Sequence, residues 1–458
     1  MNELLFVGNG LAVLIAALEQ ARRGRPVTLL ADGRSPGGHF AGLRADGVDF
    51  DIGMVMLEEH LPQAPCDTLQ SYDPSVRNDW TRFGHLASRW LRAQLALRRV
   101  PTPSCRVEGT VWPDYLIANR LDAFAHADVV APAPLAPSDP AHAANKLHGA
   151  LYEHLSYADA AHANHGDALH ERFIEPFVRK LTGAGSQALL ARQHRAVWAP
   201  LYHPNTLRAA LAGETTDLLE YPFWTTETGC VAQLVRRLNE ELAAYPHASV
   251  VNTPLVSLQH GPESWRARSQ EGQEWQGRRA VLGLAVERAC TLLGLNPPQA
   301  AAAASVTLLM CSVPSAAVAR PVGCLMVVDE EFAAYRVSSP DVLAGLGHER
   351  MRVVIEAHPE RISERHPGIE PSAALVNELR RLLAIDAAAE VRVHKCLTAK
   401  NALVLPTPQS LAAAAVAQAA VAAATPGAWL TGSLLGYGVA SINDQIVQAL
   451  QITETLSS

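Results

Sequence analysis

The stretch "LLFVGNGLAVLIAALEQARRGRPVTLLADG", residues 4–33, constrains this chain more than any other. Its four leading apolar residues read as a short buried strand, Gly8 and Gly10 as a sharp turn, and residues 11–23 as a helix. Gly24 to Pro26 turn the chain again, and residues 27–30 form a second apolar strand. Strand, helix and parallel strand in this order make the first βαβ half of a doubly wound sheet, which must be covered by helices on both faces. The chain has 458 residues, enough for two or three domains of roughly 150 residues each. With 48% hydrophobic and 18% charged residues, it can fill a large core and is not globally disordered.

A glycine turn of this kind has a defined chemistry. The first glycine permits the tight bend, the second lets a diphosphate approach the backbone, and a third allows close packing of helix on strand. The helix N-terminus then offers free N–H groups and a positive dipole end to the phosphates. Gly8 and Gly10 supply the first two roles, while the third position carries Val13, which predicts a helix held slightly away from the sheet. The second strand is expected to end on an acid that grips the ribose hydroxyls, but Ala31 stands there and Asp32 follows. Adjacent strand residues face opposite sides. Asp32 therefore reaches a ribose only if the strand turns early, and is otherwise a solvated turn residue beside Gly33.

Charge and cysteine usage narrow the class. The net charge of −7 is spread along the chain with no basic block, which argues against nucleic acid as a partner. The seven cysteines are dispersed without a CxxC pair, a pattern of reduced thiols in a cytoplasmic protein and not of a disulfide frame or zinc site. The apolar start lacks a basic leader and is interrupted by turn glycines, so it reads as structure and not as a signal peptide. No run of about 18 apolar residues is present to span a membrane. The alanine-rich "SLAAAAVAQAAVAAA" (410–424) suits a packed soluble helix.

Further along, "LHERFIEPFVRKLTG" (169–183) predicts a helix closed by Gly183, and "CVAQLVRRLNEELAAY" (230–245) an amphipathic helix with Leu234, Leu238 and Leu242 on one face. "ASVVNTPLVSLQ" reads as a strand pair, and residues 278–294 as strand, turn and helix. Residues 305–312, 322–328, 350–358 and 389–397 read as strands of a second sheet. The chain ends with the alanine-rich helix, a strand "AWLTGS" and a helix over 441–456. Nucleotide-type features thus sit at the start, middle and end. The expected architecture is α/β, a discontinuous Rossmann-type dinucleotide-binding domain (1–60, 225–300 and 400–458) with an inserted α+β substrate domain (61–224 and 301–399).

"RSPGGHFAGLRADGVDFDIGMVML" (34–57) resembles the flavin-containing amine oxidase and protoporphyrinogen oxidase-like superfamily, which includes carotenoid desaturases and UDP-galactopyranose mutases. Gly37 and Gly38 match a double glycine that lies against diphosphate and flavin in that superfamily. Gly47, Phe50, Asp51 and Gly53 match the hairpin that follows, and His39 stands where amine oxidases usually carry arginine. "TETGCVAQLVRRLNEEL" with the strand after it resembles the segment whose backbone, here around Val256, meets the adenine. "PGAWLTGSLLGYGVASINDQIVQAL" (426–450) is similar to the C-terminal flavin motif. There Gly436, Gly438 and Val439 would approach the ring, and the helix starting near Ser441 would aim its N–H groups at the flavin's N1 and C2 carbonyl. The superfamily's Gly-Asp is Gly432–Ser433 in this chain. Ser441, Asn443 and Asp444 also read as ordinary helix caps. The matching stretches cover roughly 180 residues in family order.

For chemistry, the resemblance offers a lysine that holds a water near the flavin, Lys395 or Lys400. "RQHRAVWAPLYHPNTLRAAL" (192–211) places Arg195, Trp198 and Tyr202 among other cations and aromatics. That suits an anionic or sugar-bearing ligand, or else an interdomain lid whose cations pair locally. The histidines of "AHANHGDALH" (161–170) lack the further ligands a metal site needs, so no metal is expected. Three readings stay open. The first is an FAD-dependent oxidoreductase that removes a hydride from a C–N or C–C bond of a small organic substrate. The second is a flavoenzyme acting on a nucleotide-linked sugar. The third is a flavin-fold protein with a degraded site serving as a structural partner in a complex, and a homodimer is left open as well.

Overall fold

The computed structural model describes residues 2–58, 86–101, 103–113, 155–194, 197–199, 223–435 and 441–457. Two seven-stranded sheets organise them. The first has the strand order Ala248–Val251, Val27–Leu30, Asn2–Val7, Glu274–Leu282, Trp265–Ser269, Leu255–His260, with Trp429–Leu430 paired in parallel to Glu274–Leu282. Its first four strands run parallel. The stretch read as a strand pair is two strands that serve different neighbours, Ala248–Val251 at the parallel edge and Leu255–His260 in the antiparallel hairpin.

Alternation along the opening strand builds two cores. Leu4 and Phe6 point to the face covered by helices Leu11–Arg22, Ala232–Ala244 and Ile442–Ser457. Leu5 and Val7 point to the other face, under Val286–Leu293 and the alanine-rich helix Pro408–Ala424. The alanine-rich helix buries Ala414, Ala417 and Val421 and opens with a capping box on Thr407. Among the described residues no helix is long and apolar enough to cross a membrane.

The second sheet runs Arg392–Val404, Ala303–Pro314, Arg350–Ala357, Ala334–Ser338, Cys324–Val327, Ser104–Val107, Thr110–Trp112. It is antiparallel except where Cys324–Val327 meets Ser104–Val107. Leu309, Cys311 and Val313 face the helices Pro359–Arg365 and Pro371–Leu383. Leu308 and Met310 face a core shared with Phe173 and Phe177. The strand Arg392–Val404 continues past residue 400, so the boundary expected there falls inside this sheet. The helix expected over 169–183 is Asp167–Leu169, a π-helical turn His170–Ile174 and Glu175–Thr182, ending on Gly183 with φ +76°.

Two buried arginines tie the second sheet to the segment around residues 43–54 and to the turn at Thr228. Arg352 donates to the Asp341 carboxylate and also to the Asp49 and Thr228 carbonyls, at 3.0 and 2.6 Å. Arg336 donates to both oxygens of Glu356 at 2.7 Å, and Glu356 in turn accepts the Met54 N–H at 3.2 Å. Both arrangements pin the 43–54 segment onto the second sheet.

Candidate nucleotide cradle and its surroundings

The opening strand enters the turn with Gly8 at φ +127°, where a Cβ would lie 2.2 Å from the Gly283 carbonyl oxygen. Only glycine passes there. Gly10 caps the helix with ordinary backbone geometry, and the nearest atoms to a Cβ on it are 3.7 Å away. The expectation that Val13 holds the helix off the sheet is corrected by Gly283. A Cβ on Gly283 would sit 2.1 Å from Val13 Cγ2, so the missing side chain is on the strand instead of the helix, and Val13 is fully buried. The sequence could not show that exchange because the two residues are 270 positions apart.

The strand does turn early at Asp32, whose φ is +53°. Its carboxylate is nevertheless engaged. Arg288 Nε and Nη2 donate to its two oxygens at 2.7 Å each, and the Leu255 N–H donates to Oδ1 at 2.9 Å. Asp32 is thus neither a free ribose ligand nor a solvated turn residue. Val256, next to Leu255, is 50% exposed.

The double glycine lies beside this turn. Gly37 donates its N–H to the Asn9 carbonyl at 2.8 Å, and a Cβ on it would meet Val235 Cγ1 at 2.2 Å. Gly38 has open space, its nearest neighbour being the Asn9 carbonyl at 3.7 Å. His39 is solvent accessible, yet burial among surrounding atoms holds its imidazole below the ordinary pKa. Asp51 of the hairpin accepts the Val231 and Ala232 N–H groups at 2.8 and 2.9 Å, capping the helix Ala232–Ala244. Burial pushes this carboxyl up to about 7, against those two hydrogen bonds and nearby Arg352. The family-like aspartate therefore locks the hairpin to the helix.

At the C-terminal motif, Gly432 has φ +62° and open space where a side chain would stand. Ser433 uses its hydroxyl on the Leu284 carbonyl at 3.1 Å, and its own carbonyl accepts from Gln418 at 2.8 Å. Ser441 and Asp444 form a reciprocal cap, with the Asp444 N–H on Ser441 Oγ and the Ser441 N–H on Asp444 Oδ2, both at 3.1 Å. That is the capping role their types suggested. Gly436, Gly438 and Val439 lie outside the described residues.

Lys395 and Lys400 both stand exposed on the edge strand of the second sheet. Trp198 has φ +57° and packs on Phe223 with ring centroids 5.5 Å apart, while Arg195 and Tyr202 lie outside the described residues. His165 and His170 are buried, while His162 is partly exposed. His170 Nε2 meets Ser186 Oγ at 3.1 Å, and the His162 and His170 rings lie tilted with centroids 4.0 Å apart. Among the described residues no three His, Cys, Asp or Glu side chains converge as a metal site.

Sequence reasoning missed Arg288, Gly283, Gln445 and Gln448. Gln445 Oε1 accepts the Ala12 N–H at 3.3 Å, and Gln448 Oε1 accepts the Gly432 N–H at 2.8 Å. Their i, i+3 spacing puts both on one helix face. That much is readable, but not which amides they meet.

No family profile and no curated protein matches the sequence. Solved structures do match in fold. A protein described as a protoporphyrinogen oxidase from Exiguobacterium sp. 255-15 aligns with TM-score 0.62 and 16% identity, over 99% of this chain and 98% of that one. A reduced UDP-galactopyranose mutase aligns with TM-score 0.65 and 12% identity, over 100% and 94%. A putrescine oxidase bound to putrescine aligns with TM-score 0.56 and 12% identity, over 100% and 99%. The chain accordingly has the fold of these solved structures, a Rossmann-type α/β half combined with a second α+β half.

Proposed function

We propose that this protein is an FAD-dependent oxidoreductase that removes a hydride from a C–N or C–C bond of a small organic substrate. The observation that carries the reading is the open backbone at three glycines, two beside the first turn and one at the C-terminal motif. Gly10, Gly38 and Gly432 each have no atom closer than 3.7 Å to the place a Cβ would take, and exposed His39 follows the double glycine. A diphosphate and ribityl chain need close backbone approach of this kind, so the residues present fit that part of the cofactor. Asp32 would take the ribose once released from Arg288. When bound, the flavin supplies the hydride acceptor, and the protein's part is to bind, orient and exclude water. Lys395 or Lys400 would hold a water at the reacting centre. A Lys→Met change at the one that does lowers turnover without loss of flavin absorbance.

A second reading, a flavin-fold protein serving as a structural partner, is favoured by the Asp32–Arg288 pair, which occupies the ribose acid. The spectrum of freshly purified protein separates the two. A flavin band supports the enzyme; a folded protein that stays colourless after incubation with excess FAD removes it. If the band bleaches anaerobically with an amine or an activated C–H substrate, the hydride reading stands. A requirement for prior reduction together with a uridine nucleotide would replace it with sugar-nucleotide chemistry.

A further inference from the structure

Beside the open glycines, several polar groups of the candidate cradle are already engaged by the protein's own side chains. Arg288 holds both oxygens of Asp32, and its Nη2 also donates to the Leu255 carbonyl at 2.7 Å. With the Leu255 N–H on Asp32, both backbone polar groups of the residue beside Val256 are engaged. The amide at the first helix's N-terminus is held by Gln445, and the amide of the Gly432 turn by Gln448. Both glutamines are 9% exposed, so their amides are anchored within the core and not swinging in solvent.

We propose that Arg288, Gln445 and Gln448 latch the cradle closed, and that Arg288 is the residue that sets how tightly the adenosine half of a flavin dinucleotide is held. This rests on the flavin reading above. The three contacts differ in strength. Replacing a glutamine oxygen by an anionic phosphate strengthens the hydrogen bond from the same amide, so Gln445 and Gln448 yield readily. Replacing a bidentate guanidinium by two neutral ribose hydroxyls exchanges an ion pair charged on both sides for weaker hydrogen bonds in which only the carboxylate is charged. Arg288 therefore resists, and it resists only a ligand that carries the adenosine ribose. FMN lacks that ribose.

The test titrates FAD and FMN into flavin-stripped full-length protein by fluorescence quenching, for wild type, Arg288→Ala and Arg288→Gln, with Gln445→Ala as comparison. Expected are a tightening of FAD binding by about tenfold or more in both Arg288 variants, unchanged FMN binding, and a change under about threefold in Gln445→Ala. Circular dichroism confirms the fold of each variant, and Arg288→Gln keeps a polar side chain should the alanine variant fail. FAD bound equally or more weakly by folded Arg288 variants than by wild type overturns the latch and leaves the flavin reading standing. FAD bound by no folded form, wild type or variant, overturns the flavin reading and the latch with it.

Discussion

Val13 and Gly283 share a single space: the valine's Cγ2 fills the volume that a Cβ on Gly283 would need, with only 2.1 Å between the two positions. Overpacking a closed site of this kind costs about 1–3 kcal/mol. Gly283→Ala is expected to destabilise by that amount, and to do less damage in a Val13→Ala background by about 1 kcal/mol. Relief is partial because Thr431 Oγ1 also lies 2.5 Å from the same point. Urea unfolding of both single variants and the double reads the coupling; strictly additive effects would show that the two residues do not share the site.

Arg352 and Asp341 are both buried, and the arginine also carries the carbonyls of Asp49 and Thr228. Removing one member of such a pair leaves the other charge without compensation, at about 3–5 kcal/mol. Arg352→Met should lower the urea midpoint accordingly, and adding Asp341→Leu should recover part of the loss. A loss below about 1 kcal/mol in the single variant would mean that the 43–54 segment is held on the second sheet by other contacts.

His165 is fully buried, and burial, with His170 and His194 nearby, lowers its pKa from 6.5 to about 3. His170 is lowered to about 4, chiefly by burial. Below pH 6.5 the unfolded chain gains protons that these folded imidazoles refuse. Stability is therefore fully present above that pH and falls as the solution is acidified toward 3, at up to about 1.4 kcal/mol per pH unit for His165 alone. Thermal midpoints between pH 7.5 and 5 should fall less steeply in His165→Asn than in wild type. Parallel profiles would remove His165 as the source.

Gly10 has a φ of −63°, which any residue adopts, and no atom within 3.5 Å of a Cβ placed there. Gly10→Leu should fold and yet fill the approach to the helix N-terminus, weakening FAD binding at least about tenfold. Flavin absorbance after gel filtration, read beside an unchanged far-ultraviolet spectrum, tests this. Full retention of flavin would place the cofactor elsewhere.

Contacts local in the chain were legible in advance. The βαβ opening, the glycine that closes Glu175–Thr182 and the Ser441 cap follow from periodicity, backbone allowance and a three-residue hydrogen-bond reach. Those rules act over a single turn of helix or one strand. The superfamily resemblance added a fold class for the whole chain, and the solved structures that align with it share that fold.

What the amino-acid order could not reveal is who meets whom across hundreds of positions. The sequence leaves Asp32 a choice between a ribose and solvent; the tertiary structure places Arg288 against it, 256 residues away in the chain. It likewise moves the small residue of the helix–strand contact from position 13 to Gly283, and seats two glutamines on amides that the motif alone would leave free. Local propensity is written in the neighbours of a residue, whereas a buried polar group takes whichever partner the packed core brings within hydrogen-bond reach.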